Sequence, residues 1–565
     1  MLPWQDYLRY RVSPLLPNEL RHGEVVRIVE SLRAIRPDAL QVSCLGESVE
    51  GREISLLTLG SGSRKVLAWS QMHGDEPTHT AALLDLINFL QRAPEHPTAE
   101  SILAGCTLHM IVMLNPDGAE AFTRRNAQHI DVNRDALHLQ TPEGRILRDA
   151  VNSLRPGYAL NLHNQRPRTT VGQSQQVASF SVLVPPIDEA QSVTDVTRRA
   201  KQLASCVARA VADRCPGQVS RYKADYMPRC FGEWVQQQGV VTVTIEAGGW
   251  SSVDAGPLVQ LHFFGLVAGL ESIATEELLE ADPGEYDALP ETGEHDLFDS
   301  LLRNVLVLSG LKHQPFRTDL SVNFRQIGST GREGAIVDLG DLHVTNGKTL
   351  IDGSELTCLP GRIVWRPEVS PSRLPDWKQR ERMFGIGVTT VLGQIDLAEP
   401  EEIEVFAELR KQESLPINVG FLIRLNQWSD EMRDQLLYAV SLGVLGVVDE
   451  DLPTEARHYL QWFGVAAVSE AVLRANDAEF ATLQQCAEQT RMSAQRLGLV
   501  GRGAIRLGAA ADLVLVKCPP TAGTNTAFRE SNLQQVVVGG NVAFDRGKLL
   551  DSLPGVLLTS RLARS

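Results

Sequence analysis

The chain has 565 residues, of which 43% are hydrophobic and 22% are charged, and its formal net charge is −15. This length exceeds what one hydrophobic core supports, so we expect two or three domains. Eleven of the acidic residues fall in the run 271–299, which contains no Lys or Arg, and no basic stripe appears elsewhere. The charge pattern therefore argues against a nucleic-acid partner.

Three further features bear on the compartment. No apolar run approaches the ~20 residues that a helix needs to cross a bilayer, so we expect no membrane partner. The first residues lack the basic start and long apolar core of a signal peptide. The eight cysteines show no Cys-x-x-Cys pairing, which argues against a disulfide framework and against a cysteine-based zinc site. We expect a cytoplasmic protein with reduced thiols.

The lead-in to the first domain predicts a helix and a hairpin. The helix covers residues 17–34, and the two strands cover 41–49 and 53–59 around the Gly51-Arg52 turn. Together with the strand that follows, this hairpin is typical of the antiparallel edge of a larger sheet.

A short polar turn follows the next apolar run. Residues 65–72 predict a buried strand, and residues 80–90 carry apolar side chains at helical spacing. Between them lies His73-Gly-Asp-Glu76, in which His73 and Glu76 are close enough to reach one metal ion. Zinc takes imidazole nitrogen and carboxylate oxygen at ~2.0–2.2 Å. On its own this pattern is weak, because a lone His at a strand end is more often structural.

The alternation of strands and helices continues through residue 118. A buried strand is predicted over 107–114, and Asn115-Pro-Asp-Gly118 is a turn in which Pro fixes one torsion and Gly allows a positive one. Such alternation favours an α/β domain with a mainly parallel sheet. In such sheets ligands bind where the carboxyl ends of the strands open onto loops.

Polar residues cluster in the segments that follow. Arg124-Arg125-Asn126 and the run 130–135 suit the fixing of a carboxylate, because Arg binds one through two parallel hydrogen bonds. The alternative is a solvated, Arg-rich turn. Farther on, a strand at 158–162 ends in His163, and a β-branched strand at 240–245 ends in Glu246. A core histidine and a buried ion pair are the structural alternatives for these two.

Taken in order, these motifs resemble the zinc metallocarboxypeptidase family over residues 65–249. The shared signature is HGDE, NPDG, RxN, DxNR, a third His at a strand end and a Glu at a later strand end. The resemblance implies a mixed sheet flanked by helices and one Zn²⁺ ion. It assigns His73, Glu76 and His163 as the zinc ligands, which leaves a fourth position for water.

The resemblance also implies roles for the other polar residues. Glu246 would be the general base and Arg124 would polarise the scissile carbonyl. Asn133 and Arg134 would hold the terminal carboxylate of the substrate, and Asp131 would fix the tautomer of His73.

Two positions depart from the family pattern or leave it open. Asp135 follows DxNR where many digestive members have Asn, a choice that is more usual in bacterial relatives acting on small peptides. The mobile tyrosine of the family corresponds to Tyr222 or Tyr226, and we favour Tyr226 as a substrate-binding residue.

The second half of the chain has a different pattern. We expect a catalytic domain over 1–275, an acidic linker over 276–297 and a second domain over 298–565. Segments 298–370 and 495–565 resemble the β-sandwich of the amidohydrolases, especially the N-acyl-D-amino-acid deacylase branch, and 371–494 resembles a truncated α/β barrel.

The ligands of an amidohydrolase are missing from this second half. No His-x-His follows the Pro360-Gly361 turn, and the histidines after residue 300 are widely scattered: His313, His343 and His458. Strand-helix units are expected to start near residues 387, 417, 443 and 464. We expect a degenerate, non-catalytic module that serves in packing, in homo-oligomer formation or in shaping access to the first domain.

Three functions remain open at this point. The leading hypothesis is a zinc carboxypeptidase that hydrolyses the last peptide bond of small peptides, with zinc-bound water and Glu246 as general base. The second is a deacylase or amidase acting on acyl-amino acids or murein-type peptides, because the HG[DN]E start also occurs in those enzymes. The third is a non-catalytic zinc-binding scaffold, which retention of all three ligands and Glu246 disfavours.

Overall fold

The chain forms two compact units, Met1–Leu297 and Phe298–Ser565. The computed structural model describes residues 4–12, 17–223, 225–250, 256–309, 314–327, 331–412, 415, 417–425, 427–450, 452–462, 465–475, 482–499, 501–517, 530–539, 541–550 and 557–558.

The strands of the first unit are β1 (Gln41–Glu47), β2 (Glu53–Leu59), β3 (Arg64–Ser70), β4 (Cys106–Ile111), β5 (Tyr158–Asn164), β6 (Thr169–Val171), β7 (Phe180–Leu183), β8 (Val219–Arg221), β9 (Val241–Ala247) and β10 (Thr292–Asp296). Its α-helices are α1 (His22–Ile35), α2 (Thr78–Arg92), α3 (Pro97–Gly105), α4 (Pro116–Ala121), α5 (Pro142–Leu154), α6 (Asp195–Ala212), α7 (Phe231–Gln237), α8 (Gly256–Thr275) and α9 (Gly284–Ala288). Its 3₁₀ turns are Trp4–Arg9, Pro17–Glu19, Val132–Arg134 and Glu277–Glu280.

The main sheet of this unit has the order β1-β2-β4-β3-β5-β9-β7-β8 among the described residues. The central strands β4, β3, β5 and β9 run parallel, whereas β1 and β2 form the predicted antiparallel edge. The prediction of a mixed sheet flanked by helices is therefore confirmed. The register pairs Ser70 with Leu162 and His163 with Glu246, so the strand ends that carry polar residues meet at one edge.

Helices cover both faces of this sheet, because successive strand residues point to opposite sides. Val66 and Ala68 pack into the cluster that includes α2, α6 and α8, whereas Leu67 and Trp69 pack into the cluster that includes α5 and α7. Helix α8 alone, among the described helices, is long and apolar enough to span a membrane by length and composition, and 83% of its apolar window is buried inside the protein.

The predicted acidic linker is wrong, because residues 276–297 are folded onto the first unit. Strand β10 pairs with β6, and Tyr286 is only 4% exposed and accepts a hydrogen bond from the backbone N–H of Val184. Acids of this run pair with bases of α6, since Lys201 contacts Asp287 and Arg209 contacts Glu285. A dense acidic run is a reason to expect solvation, but here it supplies counter-charges for a basic helix.

The strands of the second unit are β11 (Phe298–Val307), β12 (Phe316–Ile327), β13 (Gly331–Gly340), β14 (Gly347–Asp352), β15 (Leu356–Pro360), β16 (Arg362–Trp365), β17 (Val388–Asp396), β18 (Asn418–Arg424), β19 (Gly446–Val448), β20 (Ala467–Val468), β21 (Leu513–Lys517), β22 (Leu533–Val538), β23 (Asn541–Asp545), β24 (Lys548–Leu549) and β25 (Leu557–Leu558). Its helices are α10 (Trp377–Gly385), α11 (Glu401–Leu409), α12 (Asp430–Leu442), α13 (Thr454–Trp462), α14 (Glu470–Arg474) and α15 (Leu483–Arg496), with a 3₁₀ turn at Glu530–Asn532.

This unit has two sheets within its described part. One is mostly antiparallel and built from β11–β15 and β21–β24, and the other is parallel, with the order β16-β17-β18-β19-β20 and β25 beside β18. Strands β17 to β20 lie where the strand-helix units were predicted, although Gly464 itself is outside the described residues, as is His313. The likeness of this unit to an amidohydrolase stays a prediction.

Candidate metal centre

Three buried side chains converge at the carboxyl edge of the central strands. His73 Nδ1 lies 2.8 Å from Glu76 Oε1, His163 Nδ1 lies 2.8 Å from Glu76 Oε2, and the two Nδ1 atoms are 3.2 Å apart. Ligands held at ~2.05 Å in a tetrahedron are separated by about 3.3 Å, so these spacings suit one zinc ion. Within the described residues, these three side chains form the one group of His, Cys, Asp or Glu whose ligand atoms all lie within 4.8 Å of one another.

The strand-to-helix turn that carries two of these residues is held against the NPDG turn. A Cβ on Gly74 would lie 1.9 Å from the backbone carbon of Gly118, so only glycine lets the two chains approach this closely. Asn115 donates to the carbonyl of Met72 at 3.2 Å and accepts from the N–H of Gly118 at 2.9 Å. The two sequence motifs therefore form a single structural element.

Gln71, which the sequence analysis did not single out, shapes the same turn. Its φ of 50° is left-handed for a residue with a side chain. Its amide donates to the carbonyl of Gly74 at 2.9 Å and accepts from the hydroxyl of Thr80 at 2.8 Å. A backbone torsion of this kind gives no sequence signal when the residue is not Gly, Asn or Asp.

The tautomer of His73 is set by Asp131. The Asp131 carboxylate lies 3.1 Å from His73 Nε2, which places the proton there and leaves a lone pair on Nδ1. Asp131 also accepts from Arg124 Nε at 3.1 Å and from the backbone N–H of Asn133 at 3.0 Å. Burial raises the pKa of Asp131, but the His73 hydrogen bond and the charges of His73 and Arg124 lower it well below its usual range.

The charges around the three ligands favour a cation. Burial raises the pKa of Glu76, yet His73 and His163 hold it well below its usual value. Burial lowers the pKa of His73, but Glu76 and Asp131 raise it to about 9. Because two nitrogen lone pairs 3.2 Å apart repel each other, a proton or a metal ion is needed between them. The donor set fits zinc.

Glu246 lies beside this group, on the strand next to His163 and in register with it. One of its carboxylate oxygens, Oε2, is buried without a hydrogen-bond partner in the described structure. Burial and the charge of Glu76 raise the pKa of Glu246 to about 8, against smaller opposing effects of His73 and Arg124. A carboxylate with a pKa near neutrality suits a general base.

Arg124 contacts the ligands themselves. Its Nη1 lies 3.1 Å from Glu76 Oε1 and 3.2 Å from His73 Nδ1, and 43% of its side chain is exposed. Its position at the open side of the group suits contact with a substrate carbonyl. Asn126, the last residue of the RxN motif, is structural, because it accepts from the backbone of the loop and donates to Glu143.

Asn133 and Arg134 lie on the 3₁₀ turn next to Asp131. Asn133 Oδ1 accepts from the N–H of Phe231 at 3.0 Å, at the start of α7. Arg134 Nη1 donates to the carbonyl of Asn133 at 2.8 Å and contacts Cys230 Sγ at 3.1 Å. Asp135 does not point to the site, since its carboxylate accepts from Gln140 and Thr141 and organises the loop before α5.

The structure favours Tyr222 over Tyr226 as the tyrosine that faces the site. Tyr226 is engaged elsewhere, because its hydroxyl accepts from Gln237 at 2.9 Å. Tyr222 lies near Glu246 and Arg124: burial raises its pKa, with a further increase from Glu246 and an opposing effect of Arg124. Its backbone N–H donates to the carbonyl of Val182 on β7 at 2.9 Å, and Val182 pairs with Ile245, the residue before Glu246. Sequence position alone did not separate the two tyrosines.

Comparisons with known proteins agree on the first unit. A family model described as zinc carboxypeptidase matches residues 25–163, which include the three ligands but not Glu246. Carboxypeptidase SOL1 of Arabidopsis thaliana is 28% identical over 136 residues, covering 21% of this chain and 28% of that protein. Carboxypeptidase 2 of Trichophyton rubrum is 29% identical over 127 residues, covering 21% of this chain and 23% of that protein.

One solved structure among the matches is a metallo-carboxypeptidase from Burkholderia cenocepacia, at 19% identity and a TM-score of 0.37, covering 45% of this chain and 69% of that one. The chain spans about a quarter of the length of the curated relatives that it matches. Residues 25–163 therefore match the zinc carboxypeptidase family model, and the N-terminal half of this chain is similar to carboxypeptidases.

Proposed function

We propose that the first unit is a zinc-dependent metallocarboxypeptidase that removes the C-terminal residue of small peptides. The observation that carries this proposal is the convergence of His73, Glu76 and His163 from two strand ends, with Glu246 in register beside them. Three protein donors with an open side are typical of a catalytic zinc site, whereas a structural site is closed by four.

When bound, zinc supplies a Lewis acid and lowers the pKa of a water at the open side. Glu246 removes a proton from that water and later delivers it to the nitrogen of the leaving amino acid. The water oxygen adds to the carbonyl carbon, the C–N bond breaks, and the two products are a carboxylic acid and an amine. Arg124 stabilises the negative charge that develops on the carbonyl oxygen, since its guanidinium faces the same opening.

Arg134 and Asn133 bind the terminal carboxylate of the substrate. The Arg134 guanidinium keeps donors beyond the single Nη1 that contacts Asn133 and Cys230, and a second Arg–carboxylate bond gives orientation as well as affinity. Tyr222, near Glu246 and Arg124, adds a hydroxyl donor. This arrangement favours hydrolysis at a free C-terminus.

We also propose a reducing, cytoplasmic location, because the cysteines of the described chain are free and those other than Cys44 are buried: Cys44, Cys106, Cys206, Cys215, Cys230, Cys358 and Cys486. For the second unit we keep the proposal of a degenerate amidohydrolase-like module that supports the first unit or forms a homo-oligomer.

The deciding experiment compares a small peptide with its C-terminally amidated form. We expect bound zinc near one equivalent, hydrolysis of the free peptide, and a strong loss of rate on the amidated one, because Arg134 then has no carboxylate to bind. Equal rates would favour an amidase or deacylase. Bound zinc without hydrolysis of either compound would favour the scaffold.

A further inference from the structure

A hydrogen bond joins the two segments that carry the metal ligands. Asn164 directly follows the ligand His163 on β5, and Thr78 lies two residues after the ligand Glu76, at the start of α2. The side-chain Nδ2 of Asn164 donates to the hydroxyl of Thr78 at 2.7 Å. The proposed mechanism uses neither of these two residues, although each lies within two positions of a ligand.

The alternation of side chains along β5 explains how Asn164 reaches this helix. Leu160 and Leu162 pack into the cluster that includes α2, and Asn164 continues the same row because it lies two residues farther on. The backbone at this strand end is fixed by β9, since Asn164 pairs with Ala247 and the N–H of Gln165 donates to the Ala247 carbonyl at 2.8 Å. An ordered strand end therefore holds the amide against the first residue of α2.

The start of α2 depends on contacts from outside the helix. Its N-cap residue is Pro77, which makes no side-chain hydrogen bond to the helix. A Ser, Thr, Asp or Asn at this position usually stabilises a helix, because its side-chain oxygen accepts from a first-turn N–H. Thr78 is only 5% exposed, and its hydroxyl accepts from Asn164 instead. The contact with β5 therefore anchors a helix end whose N-cap residue provides no side-chain cap.

A second contact between the same segments involves a ligand itself. The backbone N–H of Asn164 donates to Glu76 Oε2 at 3.1 Å, and the same oxygen lies 2.8 Å from His163 Nδ1. A backbone N–H on a paired strand has a fixed direction, so it orients the carboxylate that accepts from it. Asn164 thus contacts the segment of Glu76 twice, through its backbone at Glu76 and through its side chain at Thr78.

The other atom of the Asn164 amide shows that packing alone does not explain this residue. Asn164 Oδ1 is buried without a hydrogen-bond partner in the described structure. An unpaired buried acceptor destabilises a fold, and an apolar side chain of similar size would occupy the position without that cost. The hydrogen bond from Nδ2 to Thr78 is the interaction that an apolar side chain could not make.

We propose that Asn164 and Thr78 are positioning residues that hold Glu76 and His163 at the spacing that zinc binding requires. Their hydrogen bond joins helix α2 to strand β5, so the two ligands keep their places in the metal-free protein. Ligands that are held in place bind a metal more tightly, because less conformational freedom is lost on binding. This inference rests on the proposed zinc site.

The test measures zinc affinity by competition with a chelator in a double-mutant cycle. Thr78→Val keeps the shape of the side chain and removes the hydroxyl, and Asn164→Leu removes the amide. We expect each change to weaken zinc binding about tenfold. The double variant should bind zinc no more weakly than the weaker single variant, because either change already breaks the bond. Losses that multiply in the double variant, or single variants that bind zinc like the natural protein, would overturn the proposal.

Two further variants separate positioning from general loss of stability. Thr78→Ser keeps the hydroxyl and should restore most of the zinc affinity that Thr78→Val loses. Thr107→Val is the matched control, because the hydroxyl of Thr107 donates to the carbonyl of Gly62 at 2.7 Å near the start of β4, at the opposite end of the sheet. It should leave zinc affinity unchanged, and an equal loss in this control would overturn the proposal.

A second measurement needs no metal. In the zinc-free protein, Thr78→Val should speed hydrogen exchange at the backbone N–H of Asn164, which donates to Glu76, whereas Thr107→Val should not. Unchanged exchange in the Thr78 variant would overturn the role of the pair while the proposed function still stands. Failure of the natural protein to bind zinc would contradict the proposed function itself, so the two failures are distinguishable.

Discussion

Both units contain parallel strands whose carboxyl ends meet at one edge. Among the described residues, only the first unit brings three potential metal ligands together there. In the first unit the strands deliver His163 and Glu246 to the turn that carries His73. In the second unit the ends of β17 and β19 deliver Asp396, which accepts from the N–H of Ala398, and Asp449, which pairs with Arg457. The same architecture thus positions a metal group in one case and ordinary turn and surface contacts in the other.

The first prediction tests whether metal binding belongs to the first unit alone. His163→Ala removes one of three ligands, so we expect bound zinc to fall from about one equivalent to near zero by elemental analysis after dialysis. His458→Ala, which changes an exposed residue on α13 of the second unit, is the matched control and should keep its zinc. Loss of zinc from the His458 variant would show that metal binding does not belong to the first unit alone.

The second prediction concerns the carboxylates at the strand ends. Glu246→Gln keeps the shape of the side chain and removes the base, so we expect kcat to fall about 10²–10⁴-fold while zinc is retained. Asp396→Asn makes the same chemical change at a strand end of the second unit and should leave the rate unaltered. Full activity of the Glu246 variant would mean that another group takes the proton.

The third prediction contrasts buried carboxylates of the two units. Asp85 on α2 accepts from the hydroxyl of Tyr7 at 2.6 Å and from the N–H of Val12 at 2.8 Å, and burial raises its pKa to about 6. Asp512 of the second unit is instead paired with Arg502. Below pH 4 Asp85 is protonated in both the folded and the unfolded state, and between pH 4 and 6 the unfolded chain loses this proton first.

Protonated Asp85 therefore stabilises the fold at low pH. As the pH rises through about 6, this contribution is lost, and the free energy of unfolding falls by up to ~3 kcal/mol. Hydrogen exchange of α2 should show this loss in the natural protein and not in Asp85→Asn, which cannot ionise. Parallel pH profiles of the two proteins would contradict the assignment.

The fourth prediction addresses the close contact that supports the metal turn. Gly74→Ala places a methyl group against the backbone of Gly118, so we expect a loss of about 1–3 kcal/mol in stability and weaker zinc binding. A Cβ on Gly385 of the second unit would meet no atom within 4 Å, and this residue has an ordinary φ. Gly385→Ala should therefore change stability little. Urea unfolding measures the loss of stability in both variants. Equal losses would show that the close contact between the two turns does not restrict residue 74.

The smallest expected effect separates the two tyrosines. Tyr222→Phe removes one hydroxyl donor near Glu246, and we expect kcat/KM to fall about 3- to 10-fold. Tyr226→Phe breaks only the contact with Gln237 and should leave kcat/KM within experimental error. A larger effect at Tyr226 would restore the original sequence-based choice.

Sequence alone predicted the parts of this molecule that follow from local pattern. The strands that end in His163 and Glu246, the helix after Glu76 and the antiparallel edge were all predicted from apolar spacing and turn residues, and the structure confirms these elements. The grouping of residues far apart in the chain required the family resemblance, because spacing along the sequence does not give distance in the fold.

Other features depend on tertiary contacts that no local pattern reveals. The acidic run packs on α6 because its counter-charges lie there, and Tyr226 is engaged by a residue of the following helix. His79 and His262 lie on helices far apart in the chain, and only the fold brings their rings into contact.

The contact between Gly74 and Gly118 has a consequence for how such a site can change over time. A Cβ on Gly74 would collide with the backbone of Gly118, whereas a Cβ on Gly118 would collide with Asn115 and with the backbone of Arg125. Residue 74 can therefore gain a side chain only if the NPDG turn moves, so the HGDE motif and the NPDG turn must change together during evolution.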